Sequence, residues 1–470
     1  MNETWLRKLP SVNALLNAAP GQSLIRRFGR EGVVRACREA LDDIRSEVLG
    51  DKMPPEKAES LGPEDIFTRI EARLEKKFSD SLGKAVNATG ILMHSGLGRA
   101  VLSADARQAL DEIALGYCTL ALDLETGRRG QRDARVSRLL AELTGAEAAT
   151  LVNNNAAATV LVLHALAGRK EVIVSRGQLV EIGGSFRMPE VMASSGAVLR
   201  EVGTTNKTHL RDYAEAINPE TGAILRVHHS NYRIMGFTAE PGIEELVELG
   251  DKHGIPVVDD LGSGALIDLQ EFGLQTEPLV RRSIQAGVAV ACFSGDKLIG
   301  GPQSGLIVGK ADYIGRIKKD PLARAFRCGK LTIAALEATL RLFLSPETLT
   351  EKHPLYRMLS LTPEELQKRA RKVEKNLKGR LPPDVLISVI DEGSQVGSGS
   401  VPVETIPTKC LSLKWASISP DVVAARLRLG RPPVFSRIHK DAVLFDFRTI
   451  QPDEDNLVAE AIARVWKKDV

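Results

Sequence analysis

The sequence predicts an α/β protein with a mostly parallel, doubly covered sheet. A helical domain precedes the sheet and a smaller α+β domain follows it. Three observations lead there. Residues 1–82 carry only helical apolar spacing. From about residue 86 to 330, short apolar, β-branched runs alternate with amphipathic stretches. Beyond 335 a long helical pattern gives way to mixed short elements. Continuous apolar strands separated by helices indicate a sheet covered on both faces. The expected domains are therefore 1–82, 83–335 and 336–470.

In the first domain, Val33, Cys37, Leu41, Ile44 and Val48 recur at spacings of three and four, which predicts a helix over 30–49. A second helix follows Gly62-Pro63 and runs to about Phe78. Asp51-Lys-Met-Pro-Pro55 stops the first helix and links the two. Arg26, Arg27 and Arg30 form a local basic cluster. In the central domain, strands are expected at 149–152, 171–174, 197–202, 223–227, 256–259, 288–293 and 305–308, with helices at 156–167 and 243–253 among those between them. The last domain is expected to hold strands at 385–390, 408–413 and 442–447 and to close on a helix over 454–466.

Composition narrows the partners. A net charge of +3 over 470 residues gives no reason to expect DNA or a membrane surface, so an RNA partner would need a local patch. Aromatic residues make up 4 %, too few for base stacking to be the main surface. The five cysteines are scattered without a CxxC pair, which reads as reduced, cytosolic thiols and no zinc site. Residues 1–10 lack the apolar run of a secretory signal. The longest apolar stretch, 156–167, contains His164 and is too short to span a bilayer. The expected location is the cytoplasm.

The chemistry concentrates in Ser294-Gly295-Asp296-Lys297, which follows an apolar strand and opens a glycine-rich turn. A lysine there is partly desolvated, so its amine is available as a nucleophile and can form a Schiff base with an aldehyde cofactor. Ser294 can donate to a phosphate. Asp296 is a candidate for assisting proton transfer or a subunit contact. About 38 residues earlier, Pro256-Val-Val-Asp259-Asp260 delivers a carboxylate suited to a pyridinium nitrogen. Asp259, at the strand end, is the first choice, with Asp260 the alternative. Asn153-Asn154-Asn155-Ala156 joins a strand to a helix start, whose free N–H groups can hold a phosphate. His229, just after another strand, suits stacking on a planar ring. His228 and His229 point to opposite sides of an extended chain, which argues against a two-histidine metal site.

Phosphate turn, aspartate and lysine in that order match a pyridoxal-phosphate enzyme of the aspartate-aminotransferase-like fold (fold type I). The chain resembles one family closely, the bacterial selenocysteine synthases. The matching segments include Leu9-Pro-Ser-Val12, Asn87-Ala-Thr-Gly90, Leu97-Gly98-Arg99, Glu181-Ile-Gly-Gly-Ser-Phe-Arg187, Gly203-Thr-Thr-Asn206, His229-Ser-Asn231, Asp259-Asp-Leu-Gly-Ser-Gly264, Lys297-Leu-Ile-Gly-Gly-Pro-Gln-Ser-Gly305 and Arg431-Pro-Pro-Val434. The resemblance implies conversion of seryl-tRNA(Sec) to selenocysteinyl-tRNA(Sec) with selenophosphate, by way of a dehydroalanyl stage. It implies pyridoxal 5′-phosphate on Lys297, a homodecamer built as a ring of dimers with shared sites, and an N-terminal domain that grips the tRNA. It implies that Arg99, Arg324 and Arg327 hold the selenium donor. The alternatives are a lyase or transferase acting on a free amino acid, which would have no use for the helical domain, and a tRNA-binding protein with an inactive core.

Overall fold

The computed structural model describes residues 9–50, 61–78, 82–184, 186–274 and 277–466. The chain divides into two compact units, Met1–Lys84 and Ala85–Val470. The expected linker at 51–55 lies outside the described residues.

The first unit contains the two anticipated helices, Arg30–Leu49 and Pro63–Phe78. Two shorter ones, Val12–Asn17 and Ala19–Phe28, precede them. The sequence reading left these out because each presents only one or two buried positions, too few for a period to show. Gly29, at φ +78°, separates the second helix from the third. Leu15, Leu24, Val33, Leu41, Ile66, Ile70 and Leu74 share one core. Arg69 bonds Glu47 at 2.9 Å and Arg73 pairs with Asp43, lacing the two long helices together. Arg27 is engaged by Glu71 and by Glu75, so the basic cluster reduces to the exposed Arg26 and Arg30.

The second unit carries fourteen strands among its described residues. They are β1 (Val86–Ala88), β2 (Ala148–Val152), β3 (Glu171–Ser175), β4 (Glu181–Ile182), β5 (Phe186–Arg187), β6 (Val198–Val202), β7 (Thr221–Val227), β8 (Val257–Gly262), β9 (Val290–Ser294), β10 (Gly305–Gly309), β11 (Leu386–Ser394), β12 (Ile406–Lys414), β13 (Val434–His439) and β14 (Ala442–Asp446). Seven form the central sheet in the order β2-β10-β9-β8-β7-β3-β6. All its pairs are parallel except those of β10, which runs antiparallel to β2 and β9. Alternating residues serve two cores. Ile173, Ile224, Val257 and Ala291 belong to one face, and Val174, Leu225, Val258 and Cys292 to the other.

A second sheet, β1-β13-β14-β12-β11, forms over a third core. Its edge strand β1 comes from residues that the sequence reading groups with the central domain, and it pairs in parallel with β13. Three residues show too little alternation for a strand to be legible. Strand β8 also differs from expectation, running on through Asp259 and Asp260 to Gly262. No helix among the described residues is long and apolar enough to cross a membrane.

Candidate active site

Lys297 lies three residues beyond β9, where the chain folds into a turn closed by Gly295 N–H to Ser304 O at 2.8 Å and Gly301 N–H to Gly295 O at 2.8 Å. The following residues are clamped from a distant segment. Tyr356 Oη donates to Leu298 O at 3.1 Å, and His353 Nε2 meets Ile299 O at 3.0 Å. Lys297 is 5 % exposed. Burial first, then the Arg99 guanidinium, push its amine below the ordinary lysine range. Gly262 adjoins it and takes the left-handed φ of +64° that glycine favours; a Cβ there would make only ordinary contact with Lys297 Nζ, at 3.9 Å.

The two aspartates point to opposite faces of β8. Asp259 follows the parity of Val257. It is fully buried, accepts from Ser283 Oγ at 2.6 Å and from Arg226 Nη1 at 3.2 Å, and lies away from the lysine. Asp260 follows the parity of Val258, on the face covered by the helix Asn155–Ala167. It accepts from Asn155 Nδ2 at 2.8 Å and Thr159 Oγ1 at 3.0 Å. Burial pushes its carboxyl up, and Lys297 acts against that rise. Of the two aspartates, the geometry brings Asp260, the alternative on sequence, to the face of Asn155 and the lysine, and leaves Asp259, the first choice, bonded to Arg226 and Ser283.

The turn 153–155 caps the helix Asn155–Ala167 as its sequence suggests. Asn154 Oδ1 accepts from Ala157 N at 2.8 Å, leaving the N–H groups of Asn155 and Ala156 ahead of the first capped position. Gly305 permits close approach of β10, because a Cβ there would stand 2.1 Å from Asn154 O. Ser294 is buried at the end of β9 and pairs in register with Gly305, which brings it to the same turn.

The structure places the two histidines apart. His229 lines a separate cavity of about 120 Å³ with Thr204, Asn206 and Glu240, and its ring lies 4.8 Å from that of Tyr232. His228 is the one that feels Lys297. Burial, then Arg226, push its imidazole down to about 4, so it is neutral near pH 7. Its Nδ1 lies 3.9 Å from Glu277 Oε2.

The arginines separate into two groups. Arg99, held at φ +62°, donates to Asp296 Oδ2 at 2.9 Å, close enough to Lys297 to depress its amine. Arg324 and Arg327 line another cavity of about 530 Å³ together with Arg132 and Lys318. The helix Pro321–Ala325 ends between them, so their spacing of three does not place them on one helix face. Their segment is nonetheless tied to the phosphate turn, with Asn153 N–H donating to Phe326 O at 2.9 Å.

Sequence reasoning missed Glu277, His353 and Tyr356, which act through distant contacts that no local pattern reports. It also missed the loop at 397–401, whose Gly-Ser-Gly-Ser run was a readable turn signal.

A buried, deprotonation-prone lysine at a strand end, a carboxylate on the neighbouring strand and a helix start beside both define a lysine-dependent enzyme of the aspartate-aminotransferase-like fold. The residues fit pyridoxal phosphate. Asn155 Oδ1 and His228 Nδ1 are buried without a hydrogen-bond partner among the described residues, as groups awaiting a polar ligand are. The fold is shared with D-glucosaminate-6-phosphate ammonia-lyase, with a TM-score of 0.58 at 19 % identity, covering 83 % of this chain and 97 % of that one. The family L-seryl-tRNA selenium transferase matches residues 85–451, and the selenocysteine synthase N-terminal family matches residues 6–45. The L-seryl-tRNA(Sec) selenium transferase of Geobacter metallireducens is 45 % identical, covering 98 % of this chain and 99 % of that protein. Its counterpart in Alkaliphilus metalliredigens is 46 % identical with the same coverage. The chain belongs to the L-seryl-tRNA selenium transferase family.

Proposed function

We propose that this protein converts seryl-tRNA(Sec) to selenocysteinyl-tRNA(Sec) in the cytoplasm, with selenophosphate as donor and pyridoxal phosphate held by Lys297. The observation that carries the reading is the buried Lys297 amine facing Asp260, in a chain matched to the family over both of its units. The bound cofactor supplies an electron sink for breaking bonds at the seryl α- and β-carbons. This chain's residues do the rest. Lys297, whose amine burial pushes below the ordinary lysine range, would take the α-proton. Asp260 would hold the ring nitrogen, where a cation would offset the burial that otherwise favours its protonated form. The N–H groups of Asn155 and Ala156, with Ser294, would receive the phosphate. His228 presents a neutral imidazole beside the lysine.

Arg99, Arg324 and Arg327 are assigned to the donor, because planar guanidinium forks suit phosphate-like oxygens. Arg99 alone of the three stands at the Lys297 pocket, so Arg324 and Arg327 serve a site completed by another subunit. A homodecamer built as a ring of dimers accommodates this. Leu115 and Tyr117 are almost wholly exposed, and Leu122 and Leu124 more than half; the latter two line a further cavity of about 550 Å³ that Arg132 also reaches. Residues 1–82 take the tRNA body.

The test incubates the purified holoenzyme with seryl-tRNA(Sec) or seryl-tRNA(Ser), with and without selenophosphate. Loss of the β-hydroxyl from the first substrate only, and selenium incorporation only with donor, is the expected result. Equal reaction of both tRNAs, or reaction of free serine alone, contradicts the reading.

A further inference from the structure

The loop between β11 and β12 is bent in an unusual way. Gly397 and Gly399 have positive φ, and so do Ser398 (51°), Val401 (47°) and Val403 (74°). Non-glycine residues held in this region persist only where surrounding contacts impose it, and such strain gathers at functional sites. The contacts here reach the Lys297 pocket. A Cβ on Gly399 would stand 3.1 Å from Ser230 O and 3.3 Å from Ser230 Oγ. The same Ser230 lies beside Gly262, which adjoins Lys297 Nζ. On the other side of Ser400, the Val401 N–H donates to Glu277 Oε1. Glu277 is buried, accepts from Ser263 Oγ at 2.7 Å, and faces His228 Nδ1 at 3.9 Å.

Ser400 is therefore flanked by two residues that both touch walls of the pocket. It is 2 % exposed, and its Oγ has no hydrogen-bond partner among the described residues. A buried hydroxyl left without a partner is costly, and alanine would fill the same place without that cost. We propose that Ser400 is the specificity determinant for the seryl side chain, bonding the substrate's β-hydroxyl, and that Glu277 latches the strained loop that presents it. This rests on the reading that a seryl ester reacts at Lys297. The substrate that the site favours differs from an alanyl ester only by one hydroxyl, and a site built to bond that hydroxyl rejects the analogue lacking it.

The experiment compares wild type, Ser400→Ala and Ser400→Gly holoenzymes. It measures kcat/KM for β-hydroxyl loss from seryl-tRNA(Sec), the Kd of unreactive alanyl-tRNA(Sec), and the absorbance of the lysine-bound cofactor. Both variants should lower kcat/KM about tenfold, the worth of one neutral hydrogen bond. Alanyl-tRNA(Sec) affinity and the absorbance should stay unchanged. Unchanged kcat/KM overturns the proposal. So does an equal loss for both esters, or loss of the cofactor band in both variants, since either makes Ser400 structural. Wild-type protein inert toward seryl-tRNA(Sec) would instead sink the underlying reading, and is recognised by that control alone.

Discussion

At the scale of single residues, parity along a strand decides chemistry. Asp259 and Asp260 are adjacent, yet one is locked to Arg226 and Ser283 while the other shares a pocket with Asn155, Thr159 and the lysine. Asp260→Asn should lower turnover by roughly 100-fold, because a charge placed to stabilise a developing charge is lost. Asp259→Asn should leave the chemistry largely intact and destabilise the fold, since it strands Arg226 beside a neutral group. Turnover and thermal unfolding measured on both variants distinguish the two. Sequence alone put the aspartates, the lysine and the asparagine turn in the right neighbourhood. It could not fix which aspartate faces inward, because that depends on where β8 ends, and Leu261-Gly262 offers no clear stop.

A buried histidine gives a prediction in pH. His353 is fully buried, and its imidazole is pushed down to about 4 from an ordinary 6.5 by burial. Between those values the unfolded chain binds a proton that the folded chain refuses, so stability falls as pH falls through this window. The full loss for this one group is about 3 kcal/mol. His353→Gln should flatten the acid limb of the unfolding midpoint against pH between about 4 and 6.5. An unchanged slope would mean that the ring charges freely in the fold.

At the scale of elements, the site is held by close approaches between strands and turns. Gly305 opens β10 directly against the carbonyl of Asn154, and a side chain there meets backbone that has nowhere to move. Gly305→Ala should destabilise the protein by about 1–3 kcal/mol and weaken cofactor binding, as the phosphate turn is pushed off its place. Cofactor titration followed by absorbance checks this, and full affinity in the variant would show the turn to be more yielding than its packing suggests. The central strands were legible because each is an unbroken apolar run set off by a helix. Strands β1 and β13 were not, because β1 is three residues long and β13 buries only Val434, its other side chains being half-buried or exposed. The clamp of His353 and Tyr356 on the lysine turn spans more than fifty residues and leaves no local trace in the sequence.

At the scale of the whole molecule, the proposed function divides the work between the two compact units. Deleting residues 1–84 should leave the lysine-bound cofactor absorbance intact and weaken binding of seryl-tRNA(Sec). Arg26 and Arg30, exposed on the first unit, make part of that binding salt-dependent, so the difference between full-length and truncated protein should narrow as salt rises. Filter binding at several salt concentrations reads this out, and equal affinity of the truncated chain would move the tRNA contact to the second unit. The central claim, that Lys297 is the residue bonded to the cofactor, has a direct measurement. Borohydride reduction of the holoenzyme, followed by digestion and mass spectrometry, fixes the cofactor to whichever amine holds it. The expected result is a pyridoxyl group on Lys297 alone, absent from Lys297→Ala. A label on any other lysine, or none on the wild-type protein, would contradict the account.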